Sequence, residues 1–166
     1  MSMNRRTVLV SAASMAVVAG TNLKADGHAT HVVEMLNKHP EDKKQKMVFY
    51  PRTLKVKAGD TVMFKSVDKG HNSEAIGDMT PEGSEGWKGK ISKDVEVTFD
   101  MPGVYGYKCT PHTAVGMVGL VVVEGEGMLD NLEAAKGVKQ RGKAKKAFQE
   151  IWEEAEAAGM FEETTA

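Results

Sequence analysis

The sequence predicts an all-β sandwich of the Greek-key type that is followed by two α-helices. Two observations carry this prediction. Short β-branched and aromatic runs, separated by turns that contain Gly or Pro, recur up to residue 124, as is typical of β-sandwiches. After residue 127 the spacing of the apolar residues changes to the period of a helix. The chain has 166 residues, which allows one compact domain after an export signal.

Seven strands are predicted from these short runs. Residues 95–99 alternate apolar and polar side chains, and residues 118–123 form a mostly β-branched run. Both patterns are expected of strands. The full set covers residues 31–36, 47–51, 54–56, 61–64, 95–99, 104–109 and 118–123. Residues 72–92 lack a strand pattern, and a short helix is predicted over residues 81–87 within this long connection.

Two helices are predicted from about residue 130 onward. Asp130, followed three residues later by Glu133, resembles a capping box that opens a short helix through Lys136. The second helix has a single apolar stripe, which consists of Ala144, Phe148, Ile151, Trp152 and Ala155. This spacing predicts a helix that packs on the sandwich, with Gly159 as the cap at its carboxyl end.

Residues 1–29 are predicted to be an export signal, and residues 30–166 the folded domain. Arg5 and Arg6 precede an apolar stretch from Val8 to Ala19, which is too short to span a bilayer. Cleavage is expected between residues 25 and 29, and both the general secretory route and the twin-arginine route fit this segment. No other apolar run is long enough for a membrane anchor. We therefore expect a periplasmic protein.

The distribution of charge excludes one class of partner. The formal net charge is −1, and nucleic-acid binding would require a strongly basic face. Acidic residues concentrate near the carboxyl end, at Glu150, Glu153, Glu154, Glu156, Glu162 and Glu163. This uneven distribution favours orientation toward an acidic protein partner.

The single cysteine stands in the segment that is most informative about function. Cys109, His112 and Met117 follow the spacing C-x₂-H-x₄-M, and a second histidine, His71, stands in a Lys-Gly-His-Asn segment. One thiolate, two imidazoles and one thioether are the ligand set of a blue-copper site. A lone cysteine cannot form an internal disulfide, so ligation would explain its presence in an exported protein. The alternative is a buried thiol near two unrelated histidines.

These segments resemble the cupredoxin family of small type 1 copper proteins. The resemblance is carried by residues 49–56, 59–62, 69–72 and 102–105 and by the loop 109–119. Plastocyanins share the C-x₂-H-x₄-M spacing, but their chains normally end after the final strand. The two predicted helices after residue 127 therefore resemble a different branch of the family.

The resemblance implies one type 1 copper ion and a role for each ligand. His71, Cys109 and His112 match the trigonal ligands, and His112 would be the one that reaches the surface. Met117 matches the weak axial ligand. Asn72 resembles the residue that ties the His71 segment to the Cys109 loop and donates toward the sulfur. The alternative for Asn72 is an ordinary turn residue.

The resemblance also implies a docking surface for redox partners around His112. Its apolar part would consist of Met47, Pro111, Thr113 and Val115, and the surrounding lysines would be Lys38, Lys69, Lys88 and Lys108. Thr113 and Val115 depart from the aromatic residue and the methionine that are expected of the family. Met47 fits a core position at the start of a strand almost as well. Lys143 is expected to lie far from this surface.

The expected function is that of a soluble, monomeric electron carrier that cycles between Cu(II) and Cu(I) and is not an enzyme. The resemblance implies single-electron transfer to a respiratory enzyme such as a copper nitrite reductase, with cytochrome c as another candidate partner. Two other classes remain open. A periplasmic copper-binding or storage protein would favour exchangeable Met or Cys sites. A cysteine–histidine hydrolase would use Cys109 as its nucleophile, but it would leave Met117 without a role.

Overall fold

The computed structural model describes residues 22–23 and 27–163. Within this part of the chain it contains nine strands and two α-helices. The strands are β1 (Asn22–Leu23), β2 (Ala29–Lys38), β3 (Lys46–Tyr50), β4 (Thr53–Lys57), β5 (Thr61–Ser66), β6 (Glu74–Ala75), β7 (Val95–Thr98), β8 (Gly103–Lys108) and β9 (Val118–Glu124). The helices are α1 (Leu132–Gly137) and α2 (Lys143–Ala157), and two 3₁₀-helices cover Gly77–Met79 and Thr110–Val115. Each of the seven predicted strands overlaps an observed one.

The strands form two sheets that enclose a common core. In the first sheet β2 pairs with β1 and β3 in the antiparallel sense and with β5 in parallel, and β5 pairs with β7. The second sheet has the order β4-β9-β8-β6, in which β4 and β9 run in parallel. The predicted β-sandwich with two carboxyl-terminal helices is confirmed.

β9 separates two hydrophobic cores. Val121 and Val123 belong to the core between the sheets, whereas Leu120 and Val122 belong to a second core beneath the helices. A strand that is buried on both faces has a nearly continuous apolar sequence rather than an alternating one. This explains why residues 118–123 form an unbroken apolar run.

α2 covers the outer face of the second sheet, as its apolar stripe predicts. Its buried residues are Ala144, Ala147, Phe148, Ile151 and Ala155, and Trp152 stacks on Phe148. The helix ends at Ala157, and Gly159 follows with a φ of 64°. The N–H of Gly159 donates to Glu156, and the N–H of Met160 donates to Ala155. These two bonds form a Schellman motif, in which glycine supplies the left-handed residue.

The short helix that was predicted over residues 81–87 is wrong. Gly83 and Gly86 have φ angles of 85° and 65°, and an α-helix requires negative φ at every residue. The connection contains the 3₁₀-helix Gly77–Met79 and the two-residue strand β6 instead. The two glycines therefore break the helix that the surrounding sequence suggests.

The capping box that was predicted at Asp130 is also wrong. α1 begins one residue later, its cap position is Asn131, and no side chain caps its first turn. The side chain of Asn131 instead accepts a bond from the N–H of Val104 (2.9 Å) and donates to the carbonyl of Val104 (2.7 Å). A tertiary contact with β8 thus takes the place of the local cap.

The predicted export signal, residues 1–29, lies mostly outside the described residues and stays a prediction. Within it, only residues 22–23 and 27–29 are described. Among the helices of the described ranges, none has the length and apolar character that crossing a bilayer requires.

Candidate metal centre

The loop between β8 and β9 closes on itself and brings Cys109 next to Met117. The N–H of Cys109 donates to the carbonyl of Met117 (3.0 Å), and the N–H of Met117 donates to the carbonyl of His112 (3.1 Å). Between them, Thr110–Val115 forms a 3₁₀-helix whose cap, Gly116, has a φ of 95°, an angle that favours glycine. One short turn therefore presents Cys109, His112 and Met117 together.

His71 completes a cluster of three donor atoms. Its Nδ1 lies 3.1 Å from Nδ1 of His112, and Sγ of Cys109 lies 3.4 Å from His112 Nδ1 and 3.8 Å from His71 Nδ1. Within residues 22–23 and 27–163, this is the one cluster of three or more His, Cys, Asp or Glu groups with such spacing. His71 and Cys109 are buried, and His112 is half-buried.

The triangle of donor atoms fits a trigonal metal site. Imidazole nitrogens lie about 2.0–2.1 Å and thiolate sulfurs about 2.3 Å from a borderline-soft ion, so an imidazole and a second imidazole or thiolate 120° apart would be separated by about 3.5–3.8 Å. One observed separation, 3.8 Å, agrees with this range, and the other two, 3.1 and 3.4 Å, are a few tenths of an ångström shorter. Two imidazoles and a thiolate suit copper or zinc, whereas calcium and magnesium require oxygen ligands.

Asn37 is a site residue that sequence reasoning missed. Its Oδ1 lies 2.9 Å from Nε2 of His71, and an amide oxygen can only accept a hydrogen bond. Nε2 therefore carries the proton, which leaves the lone pair of Nδ1 free for a metal. No spacing rule links residues 37 and 71. The parallel pairing of β2 with β5 carries Asn37 to the end of the sandwich where His71 follows β5.

The electrostatics of the cluster favour a neutral imidazole at His71. Burial lowers the pKa of His71, and the neighbouring His112 lowers it further. Burial also raises the pKa of the Cys109 thiol, an effect that the N–H groups of Asn72 and His112 partly offset. A bound cation would supply the positive charge that stabilises the thiolate at this buried position.

Asn72 joins the His71 segment to the Cys109 loop. Its Oδ1 accepts a bond from the N–H of Thr110 (2.7 Å). Its Nδ2 donates to Oγ1 of Thr110 (3.1 Å) and to the carbonyl of Gly89 (3.1 Å). The backbone N–H of Asn72 lowers the pKa of the Cys109 thiol, and donation from Asn72 toward the sulfur stays a prediction. The side chain of Asn72 therefore fixes the loop that follows Cys109.

Met117 is almost completely buried, with 1% of its surface exposed, and it belongs to the same core as Cys109. The loop bonds described above hold its main chain against Cys109 and His112. Its assignment as the axial ligand stays a prediction.

The four predicted docking lysines lie near the cluster. Three of them, Lys38, Lys69 and Lys108, stand within two positions of Asn37, His71 or Cys109. Lys88 forms an ion pair with Glu74 (3.5 Å), and Glu74 faces Lys108 across the pairing of β6 with β8. One carboxylate therefore stands among these lysines and offsets part of their charge.

The predicted apolar docking residues are only partly exposed. Pro111 and Val115 are exposed, whereas Thr113 is half-buried. Met47 fits both the core position and the surface position considered for it. It packs against the core between the sheets, and it also lines a surface cavity of about 650 Å³ with Val115. Lys143 lines the same cavity. The expectation that Lys143 lies far from this surface is therefore wrong.

A two-sheet sandwich with a His-Cys-His cluster at one end defines a metal protein of the cupredoxin class. Comparison with known proteins agrees with this class. The family model for copper binding proteins of the plastocyanin/azurin family matches residues 33–124. The chain belongs to this family, in its pseudoazurin group. The predicted cupredoxin resemblance is confirmed.

Individual pseudoazurins match most of the chain. The pseudoazurin of Paracoccus pantotrophus is 45% identical over 137 residues, which cover 82% of this chain and 89% of that protein. The pseudoazurin of Methylorubrum extorquens is 44% identical over 131 residues, which cover 79% and 84%. The crystal structure of native pseudoazurin from Hyphomicrobium denitrificans has a TM-score of 0.69 at 41% identity, with 76% of this chain and 98% of that chain covered.

Proposed function

We propose that the protein is a periplasmic electron carrier with one type 1 copper ion, bound by His71, Cys109, His112 and Met117. The convergence of two imidazole Nδ1 atoms and one Sγ atom within 3.1–3.8 Å carries this proposal. Bound copper would supply a one-electron couple, because thiolate and thioether ligands favour Cu(I) while imidazole accepts both oxidation states.

The protein's contribution is to hold a single geometry for both oxidation states. Cys109 and His71 are buried at one end of the sandwich. Asn37 orients the His71 ring, and Asn72 fixes the Cys109 loop. A site supported by such hydrogen bonds rearranges little when its charge changes. Met117 would act as the weak, long ligand that tunes the reduction potential.

His112 is the proposed point of electron entry and exit. It is the more exposed of the two histidines, and the exposed residues Pro111 and Val115 stand in the same loop. An apolar surface allows a close, short-lived encounter, and weak redox complexes typically bury less than about 1,200 Å². Lys38, Lys69, Lys88 and Lys108 would orient an acidic partner before contact.

The predicted export signal supports the periplasm as the location, and the family resemblance supports a copper nitrite reductase as the electron acceptor, with cytochrome c as another redox partner. We expect the carrier to act as a monomer that binds neither nucleic acid nor a membrane. Electron transfer without substrate turnover agrees with a cluster in which all the functional side chains are metal ligands or their supports.

Visible absorption after the addition of Cu(II) tests the metal site. We expect an intense visible band that is bleached by ascorbate, because a Cys109 thiolate bound to Cu(II) absorbs strongly. Cys109→Ser should abolish the band. Met117→Leu, the matched variant, should retain bound copper and a visible band but shift the reduction potential, because it removes only the weak ligand.

A colourless wild-type protein that binds only Cu(I) would contradict the electron carrier and favour a storage protein. Loss of all copper from Met117→Leu would contradict the axial role of Met117. Copper content measured by atomic absorption separates a missing band from a missing metal.

A further inference from the structure

The charges of α2 are arranged against the helix dipole. Lys143, Lys145 and Lys146 stand at its amino end, where the first turn contains no acidic residue, while Glu153 and Glu156 stand in its last turns. The amino end of a helix favours negative side chains and its carboxyl end favours positive ones. This order opposes the dipole of α2. The acidic half is explained by the fold, because Glu154 pairs with Arg52 and Glu156 pairs with Lys136, so it is the lysine end that calls for another explanation.

The lysine end of α2 forms one wall of the surface cavity that Met47 and Val115 line. Two further lysines complete the opposite wall. We refer to this cavity as the lysine groove, and its defining residues are Lys44, Lys46, Met47, Val115, Lys143 and Lys146. The volume of about 650 Å³ can accommodate a small group of side chains.

The positive charge of the lysine groove is largely uncompensated. Among the described residues, Glu150 is the one acidic residue that lines it, and Glu150 is already engaged with Arg52 (3.4 Å) and Lys146 (3.7 Å). Within the described part of the chain, Lys44, Lys46 and Lys143 form no ion pair with it or with another acid. The groove is therefore complementary to a negatively charged group.

The lysine groove opens beside the ligand loop. Val115, which is 49% exposed, ends the 3₁₀-helix that carries His112. A Cβ atom placed on Gly116 would lie 3.5 Å from Cβ of Lys143, so the loop and α2 are in direct contact. A partner seated in the groove would therefore cover the exposed side of the loop.

We propose that the lysine groove is a docking site for an acidic segment of the redox partner protein. The proposal rests on the proposed electron-carrier function and adds a second basic surface to the lysines near His71. Charge complementarity identifies the occupant as an acidic peptide segment, and the apolar residues Met47 and Val115 favour a segment that also carries an apolar side chain. The charge order of α2 would then serve steering at the cost of helix stability.

Hexaglutamate is a probe of the groove that does not depend on electron transfer. We expect titration of the ¹⁵N-labelled, Cu(I)-loaded chain to shift the amide signals of residues 44–47, 115–116 and 143–147 first. Equal shifts around Lys38, Lys69, Lys88 and Lys108 would overturn the proposal. Shifts of the groove signals that depend on protein concentration without peptide would identify a second copy as the occupant, and would also overturn it.

Lys143→Glu and Lys57→Glu form a matched pair of charge reversals. Lys57 stands opposite Glu124 in the parallel pairing of β4 with β9, at the end of β9 that lies away from the ligand loop. Lys143→Glu should weaken hexaglutamate binding several-fold and slow electron transfer to a copper nitrite reductase at low salt, while its unfolding temperature stays equal or rises. Lys57→Glu should change neither binding nor transfer.

Equal losses for the two variants would show that only net charge matters and would overturn the groove. The visible copper spectrum separates this outcome from failure of the proposed function. If wild-type protein lacks the blue absorption, the electron-carrier proposal fails, whereas the hexaglutamate map still tests the groove by itself.

Discussion

At the level of single residues, the side chain of Asn37 determines which nitrogen of His71 is available to a metal. The bond of 2.9 Å between Asn37 Oδ1 and His71 Nε2 places the proton on Nε2. The N–H of Asn37 is itself bonded to Asp68 (2.7 Å), so the acceptor is held in place from a second side. Supports of this kind contribute to metal affinity as well as to orientation.

We predict that Asn37→Ala weakens copper binding by about 10–100-fold, the range found when such supports are removed. Without its acceptor, the His71 ring loses its fixed tautomer and orientation. Competition with a chelator of known affinity measures the change. Asn131→Ala is the control, because Asn131 makes a comparable pair of bonds to Val104 but does not contact the cluster. It should lower stability and leave copper affinity unchanged. Wild-type affinity for Asn37→Ala would show that Asn37 does not position His71.

The sequence predicts the cluster better than it predicts the supports of the cluster. The residue types and spacing of Cys109, His112 and Met117 reflect coordination chemistry, which is readable along the chain. Asn37 acts through a tertiary contact between segments that are 34 residues apart, and asparagine at that position has no local pattern. Supports of this kind become visible only when the pairing of β2 with β5 is known.

At the level of elements, the patterns that reflect burial and the glycine cap at the end of α2 were predicted correctly, whereas the start of α1 and the helix over residues 81–87 were not. The stripe of α2 and the apolar run of β9 both follow from the second hydrophobic core. The start of α1 depends instead on the contact of Asn131 with β8, and the missing helix over residues 81–87 depends on two glycines with positive φ. Backbone angles and tertiary bonds of this kind leave a weak trace in the sequence.

We predict that Ile151→Ala lowers the free energy of unfolding by about 2–5 kcal/mol, because it leaves a cavity in a tightly packed site. Ile151 is fully buried in the core between α2 and the second sheet. Urea unfolding, followed by circular dichroism, measures the change. Gln149→Ala, on the exposed face of the same helix, should change stability by no more than about 0.5 kcal/mol. Equal effects of the two substitutions would mean that α2 does not pack on β9.

At the level of the whole molecule, Asp60 connects the two sheets at the end opposite the metal cluster. Its carboxylate accepts bonds from the N–H of Ala29 (2.8 Å), the N–H of Lys57 (3.0 Å) and Nε2 of His31 (2.9 Å). Ala29 and His31 belong to β2 in the first sheet, whereas Lys57 ends β4 in the second. Burial alone would raise the pKa of Asp60, but the bond from His31 and the two N–H groups outweigh it and lower the pKa.

We predict that Asp60 contributes stability at neutral pH that is lost in acid. Because its pKa is lower in the folded chain, the contribution is fully present above the unfolded value of about 3.9 and disappears as the pH falls through the folded value. Asp60→Asn should lower the free energy of unfolding of the copper-free protein by about 1.5–3 kcal/mol at pH 7, the range for hydrogen bonds to a charged group.

The difference in unfolding free energy between wild type and Asp60→Asn should shrink below about pH 4, because the wild-type carboxylate then becomes neutral. Thermal unfolding between pH 7 and pH 3 measures both curves, and groups that do not contact Asp60, including the histidines of the cluster, cancel in the difference. Asp78→Asn, an exposed position on the 3₁₀-helix Gly77–Met79, should show no such convergence. A difference that stays constant over the whole range would mean that Asp60 acts through its shape rather than through its charge.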